Sequence, residues 1–391
     1  DLHSFPTRRS SDLVLMIKFS HTPRIDFQRV ASILSEIETD PMGGWFQPQI
    51  SSEELNNIKT VAKKVQKDSK YLVCIGIGGS YIGHRALIEA LEPTSPTKIL
   101  YAGNSLSRRE LDRVLKTIEN TDFSINMISK SGSTFEPSIA FTVLKEKLIK
   151  KYGKEKASQR IYATTDAEKG DLHDEAVKNG YQSFSIPDNV GGRFSVLTPV
   201  GLFPLAVAGV DIDQLLAGAI EGKKYLTTED SPAIKYAFMR YALLKRDFDT
   251  EIFATSEPST AYFNEWLKQL FGESEGKNHQ SIFPTSVIYS TDLHSIGQFI
   301  QDGRRDLFET IVNFPTDELN NKVLRAAKSA HESGCIPVLE IKISSYDAKA
   351  FGELIYFFEL SCAVSAKLQG LNPFDQPAVD VYKAELKKLL A

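Results

Sequence analysis

Short apolar runs bounded by glycine and polar residues recur along the chain, separated by segments whose apolar residues fall three and four apart. The runs Tyr71–Ile77, Ile99–Ala102, Ser124–Ile128 and Ile161–Thr164 read as buried strands. Phe27–Ile37, Ser52–Asp68, His84–Leu91, Arg108–Ile118 and Pro137–Lys151 have helical spacing, the second with a Ser-x-x-Glu capping pattern at its start. After a linker near Glu221–Asp230 the alternation begins again. Helices are expected over Pro232–Leu244, Glu265–Phe271 and Gly352–Leu368, and strands over Glu251–Thr255 and Pro337–Ile343, with Val287–Ser290 leading into a polar turn. Strands alternating with helices predict α/β architecture: two doubly wound parallel sheets with helices on both faces. The expected division is an N-terminal helical segment (16–69), a first domain (70–220), a second (231–370), and a closing turn and helix (371–391). Residues 1–15 match neither period, and Met16 reads as a truer beginning, so they are expected to be a foreign or mistranslated leader.

The stretch that carries the most chemistry is Asn126–Ala140. A strand ends at Ile128, then Ser129-Lys130-Ser131-Gly132-Ser133-Thr134 packs four hydroxyls and an ammonium into one turn, and Glu136-Pro137 suits a first helical turn. Such a junction aims backbone N–H groups and the positive end of the helix dipole at one point, where a phosphate monoester fits. An ordinary serine-capped turn has the same local pattern, and the Gly-Lys-Ser/Thr ending of a nucleotide loop is missing. Gly76-x-Gly78-Gly79-Ser80-x-x-Gly83 follows the first strand and resembles a dinucleotide fingerprint. No acidic residue follows Ile99-Leu100-Tyr101 to hold a ribose, so Gly78, Gly79 and Ser80 are read as allowing close approach to a smaller ligand. Both turns open at the carboxyl edge of the sheet, where ligands of such folds sit. Arg193 lies in Gly191-Gly192-Arg193-Phe194-Ser195, pressed against apolar sequence, and needs an anion or carboxylate partner. Glu273 and Glu275 lie in Gly272–Lys277 with two glycines and a lysine.

Composition narrows the field. The chain has 391 residues, 42% of them apolar and 25% charged, with a net charge of -4 and no long basic run. These totals suit a globular chain of two or three domains and argue against nucleic acid or an anionic membrane as partner. The most apolar stretch, Val196–Val210, is broken by two prolines and too short to span a bilayer; a buried helix is expected. Cys74, Cys335 and Cys362 form neither a metal pattern nor a disulfide framework, so three buried thiols in a reducing, cytoplasmic setting are expected.

Six blocks, in order, resemble the glucose-6-phosphate isomerase (phosphoglucose isomerase) family, its bacterial branch above all. They are Ile75–Gly83, Ser129–Pro137, Gly191–Pro204, Lys268–Lys277, Ser290–Thr310 and Leu371–Lys383. The chain is shorter than is usual for that family, and the region before Tyr71 is abbreviated. The resemblance implies two sugar-isomerase (SIS) domains, a helical C-terminal arm, and a homodimer with active sites at the interface. It implies interconversion of glucose 6-phosphate and fructose 6-phosphate, a step of glycolysis and gluconeogenesis, without cofactor or metal.

The same resemblance assigns roles. Glu273 would be the base that moves a proton between C2 and C1, a choice over Glu275 that spacing alone leaves open. Arg193 would stabilise the enediolate, and His294, reaching in from the partner subunit, would open the sugar ring with Lys383. Ser129, Ser131 and Thr134 would hold the phosphate with Lys130 beside them, and Gly79, Ser80 and Gln376 would lie near the sugar. The chemistry suits these side chains. A free glutamate, pKa about 4.3, is a feeble base for a carbon acid, so a drier pocket is expected around Glu273. A fixed guanidinium stabilises developing charge with little reorganisation, and an imidazole titrating at about 6.5 can exchange protons at neutral pH. Two other readings stay open. A sugar-phosphate-binding regulator would keep Ser129–Thr134 without needing Glu273, His294 and Lys383 together, and an isomerase could also accept mannose 6-phosphate.

Overall fold

A computed structural model describes residues 16–18 and 25–390; the leader expected over residues 1–15 lies outside them. Among the described residues, ten strands form two five-stranded sheets. The strands are β1 (Met16–Lys18), β2 (Tyr71–Ile75), β3 (Lys98–Ala102), β4 (Phe123–Ile128), β5 (Ile161–Thr165), β6 (Gln182–Ser185), β7 (Thr250–Thr255), β8 (Phe283–Ile288), β9 (Leu307–Asn313) and β10 (Val338–Lys342). The first sheet is parallel throughout, in the order β3-β2-β4-β5-β6. The second runs β1-β10-β9-β7-β8 and is parallel except for β1, which pairs antiparallel with β10.

Both sheets are doubly wound in the same way. From β2 the chain steps to β3 on one side and then to β4 on the other; from β7 it steps to β8 and then back across to β9. The crevice at such a reversal is where ligands bind in open α/β sheets. The pleat sends alternate residues to opposite faces. Leu72 and Cys74 of β2 enter one core while Val73 and Ile75 enter another. In β7, Phe253 joins the larger core and Ile252 and Ala254 a smaller one. Helices cover both faces of each sheet, as two-sided apolar strands require.

Several boundaries differ from the expected ones. The helix expected over Glu265–Phe271 runs Ala261–Glu275, so Glu273 sits in its last turn. The linker near Glu221–Asp230 is partly helix, because Ile212–Leu226 continues into it. The buried apolar stretch is helical only over Pro199–Ala208, with Pro199 in its first turn and Pro204 inside it. Cys74 and Cys362 are buried, but Cys335 is exposed, because it falls in the turn that ends helix Glu318–Ser333 rather than in an apolar strand.

Helices Ile212–Leu226 and Ala348–Leu368 pack face to face. Their backbones come close enough that a Cβ on Gly218 would sit 1.9 Å from the Lys349 carbonyl oxygen, and one on Gly352 1.8 Å from that of Leu215. This contact walls in Glu353, which is 3% exposed and whose Oε1 has no hydrogen-bond partner among the described residues. Burial, and then the Glu221 charge, raise its carboxyl from 4.5 to about 8. The folded chain therefore keeps a proton that the unfolded chain loses near 4.5, so stability drains away as pH rises between those values. Glu353→Gln is expected to be nearly neutral below pH 4 and to stabilise the fold by a few kcal/mol above pH 8, read as melting temperature against pH.

Candidate active site

A cavity of about 520 Å³ opens beyond the ends of β2 and β4, at the winding reversal of the first sheet. Ile77 and Ile128 form its floor, and Ser80, Ser129, Lys130, Ser131, Thr134 and Gln376 line it. The turn after β4 is self-supporting. Ser129 Oγ accepts from Gly132 N (3.0 Å), Ser131 Oγ accepts from Ser133 N (3.2 Å), and helix Phe135–Tyr152 starts directly behind. Lys130 Nζ donates to the Asp188 carbonyl (2.9 Å), which leans it along the rim. Lys169 and Asp166, from the loop after β5, also line the cavity; neither stood out in the sequence, because that loop carries no spacing signal. The backbone N–H of Glu168 donates to Asp166 Oδ1 (2.9 Å) and helps hold that carboxyl below its ordinary range.

Gly79 does not line the cavity. A Cβ there would stand 2.1 Å from the Gly192 carbonyl oxygen. Its missing side chain lets the turn after β2 touch the turn that carries Arg193.

Arg193 joins three parts of the chain. It is 2% exposed, in a short turn (Gly192–Phe194) before the buried helix. Nε donates to Ser274 Oγ (2.8 Å), and Nη1 donates to Gln376 Oε1 (2.7 Å) and to Glu273 Oε2 (3.3 Å). Nη2 donates to the carbonyls of Pro373 and Asp375. The carboxylate partner expected for it is therefore Glu273, with carbonyls completing the fork. Burial lowers its pKa from the usual 12.5, against a smaller raising effect of Glu273. Trp45 stacks on Phe194 at 4.9 Å, and Phe374 meets Phe194 edge-on at 5.5 Å, packing the residues on either side of this latch.

Glu273 Oε1 accepts from Gln269 Nε2 (3.0 Å), one helical turn earlier. Gln269 escaped the sequence reading, although its i, i+4 spacing from Glu273 would have found it once the helix was known to extend that far. The Glu273 side chain keeps a third of its surface open, so a single chain does not supply the dry pocket expected around it. Glu275 is elsewhere: its Oε1 receives Arg240 Nη1 at 2.5 Å, and Arg240 Nε also holds Glu251 Oε2 at 2.7 Å, all three fully buried. Two residues along a helix turn a side chain to the opposite side, so Glu273 meets Gln269 and Arg193 while Glu275 faces the core. Glu273 and Arg193 reach the cavity only through Gln376 and do not line it themselves.

His294 and Lys383 are not brought into this cluster. His294 ends a short turn (Thr291–His294) beyond β8, is exposed, and makes no hydrogen bond or ion pair among the described residues. Lys383 does not line the cavity; its Nζ meets Asp380 at 3.3 Å on helix Pro377–Leu390, and its side chain is 62% exposed. That helix is exposed along nearly its whole length, so no packing seats Lys383 against the cavity.

A model of the phosphoglucose isomerase family matches residues 53–313. The chain belongs to the phosphoglucose isomerase family. A relative from Pediococcus pentosaceus, named glucose-6-phosphate isomerase, is 45% identical over 388 residues, covering 89% of this chain and 86% of that one. Among solved structures, a Thermus thermophilus hypothetical protein superposes with a TM-score of 0.86 at 27% identity, covering 93% of this chain and 94% of that one. A glucose-6-phosphate isomerase from Chlamydia trachomatis superposes with a TM-score of 0.82 at 17% identity, over 96% and 88%; at that identity the likeness concerns the fold. The phosphoglucose isomerase match spans the cradle, Arg193, Glu273 and His294, and ends before Gln376 and Lys383.

Proposed function

We propose that the cavity takes the phosphate of an open-chain hexose 6-phosphate and that Glu273 carries a proton between C2 and C1. The chain is an aldose-ketose isomerase of glucose 6-phosphate and fructose 6-phosphate, as its family and its relatives indicate. The observation that carries the residue assignment is the continuous path from cradle to carboxylate. Gln376 lines the cavity and accepts from Arg193, whose same Nη1 donates to Glu273. Ser129, Ser131, Thr134 and the helix start behind them receive the phosphate, with Lys130 at the rim and Ser80 beside the sugar. Gly79 contributes by letting the two turns touch. Glu273 removes the proton from one carbon and returns it to the next, and Arg193 stabilises the oxyanion formed between. His294 and Lys383 serve ring opening. We place the reaction in the cytoplasm, on the strength of unpaired cysteines, and take 70–220 and 231–370 as its two domains.

We further propose a homodimer with shared sites. Ile296 and Phe299 are exposed beside His294, and Val381, Tyr382 and Leu389 are exposed on the last helix. Apolar faces of this kind fit a second copy. Among the described residues, no helix is long and apolar enough to cross a membrane.

One experiment tests both proposals. The wild-type chain should convert glucose 6-phosphate to fructose 6-phosphate in the presence of EDTA; no conversion would refute the reaction. Glu273→Gln and His294→Ala should each be nearly inactive alone. Co-expressed, they should recover about a quarter of wild-type turnover, because half the dimers are mixed and each holds one intact site. No recovery would mean that His294 does not act across the interface.

A further inference from the structure

Among the described residues His294 makes no hydrogen bond or ion pair, yet proton transfer needs its ring held in place. The segment that carries it is anchored on either side. Tyr289, Leu293 and Ile300 all join the small core on one face of the second sheet, while His294 and Phe299 point outward. Asp292 Oδ2 accepts from Ile288 N (2.6 Å) and so folds the turn back onto the end of β8. The strongest anchor is deeper. The Tyr289 hydroxyl donates to Glu309 Oε1 on β9, and Glu309 Oε2 meets His331 Nδ1 at 2.6 Å, at the end of helix Glu318–Ser333. Glu309 is fully buried, Tyr289 and His331 nearly so. Burial, and then the Glu309 charge, push the Tyr289 phenol far above its ordinary range, which keeps it a donor.

We propose that Tyr289, Glu309 and His331 form a buried positioning chain that sets where the His294 ring stands. Hydrogen bonds to a charged acceptor are among the strongest a protein makes, and this one fixes Tyr289, which lies between the end of β8 and the turn. None of the three is placed to touch substrate; they act through His294. The proposal therefore rests on the reading of His294 as the ring-opening group.

Tyr289→Phe removes one hydroxyl and leaves the Glu309–His331 contact in place. It is expected to lower kcat about tenfold, the worth of one such hydrogen bond, with little change in KM. The deciding readout is the double variant. In a His294→Ala background, Tyr289→Phe should cost nothing further, because the group it positions is gone. His331→Gln, acting from the far end of the chain, should show the same dependence. If either change lowers kcat equally with and without His294, or if Tyr289→Phe leaves kcat at the wild-type value, the positioning chain is overturned while His294 keeps its role. If His294→Ala alone turns over at the wild-type rate, the reading of His294 fails and the proposal falls with it.

Discussion

Glu273→Gln is expected to lower turnover about 10³- to 10⁴-fold, the range attributed to a well-placed general base, and to abolish exchange of the C2 hydrogen with solvent. Sugar-phosphate binding should survive. The cradle from Ser129 to Thr134 is built from its own hydrogen bonds, and the one amide oxygen of Gln can still accept from Arg193 while its NH2 donates to a turned Gln269 amide. Binding measured with a non-reacting sugar phosphate should therefore stay within a fewfold of wild type while exchange disappears. Exchange at the wild-type rate would mean that Glu273 is not the base. Glu275 could not inherit the role without leaving its buried contact with Arg240, and removing one partner from a buried ion-pair cluster is destabilising even though Glu251 would still hold the guanidinium.

That separation of the two glutamates shows what the sequence could and could not give. Within the run Gly272–Lys277, spacing alone leaves open which carboxylate faces a ligand. Helix Ala261–Glu275 extends through both and turns one to each side, Glu275 to the core beside Arg240 and Glu273 to Gln269 and Arg193. The cradle was legible because its signal is local: an apolar strand, a hydroxyl-rich turn and a proline-started helix sit within one short stretch. The strand Gln182–Ser185 was missed for the opposite reason, since it is polar and short, with a single inward residue. Arg240 lies within the helix expected over Pro232–Leu244 and has no signal of its own there, yet it is fully buried between Glu251 and Glu275. No local pattern joins Arg193 to Gln376, which lie 183 positions apart; only the family resemblance put both in the site. Lys383 was assigned by resemblance too, and the single chain gives it no contact with the cavity. Such pairings depend on how separate layers dock, and docking is not written in periodicity.

Arg193→Ala carries the second large expectation, a fall in kcat of about 10²- to 10³-fold, as when a preorganised donor to a developing oxyanion is removed. It should also destabilise the fold, which makes the test two-sided. The guanidinium satisfies Ser274 Oγ, the side chains of Gln376 and Glu273, and the Pro373 and Asp375 carbonyls. Each buried acceptor left alone costs about 1–3 kcal/mol, so melting temperature should fall along with rate. Two controls separate the effects. Arg193→Lys keeps the charge but lacks the planar fork, so it should recover part of the stability and little of the rate. Guanidinium ion added to Arg193→Ala at sub-denaturing concentration can refill the space and should restore turnover more than stability. Retention of wild-type kcat by the alanine variant would show that Arg193 only fastens the C-terminal loop. The enediolate charge would then have to be met by some other group, and Lys130 and Lys169 are the cations that line the cavity.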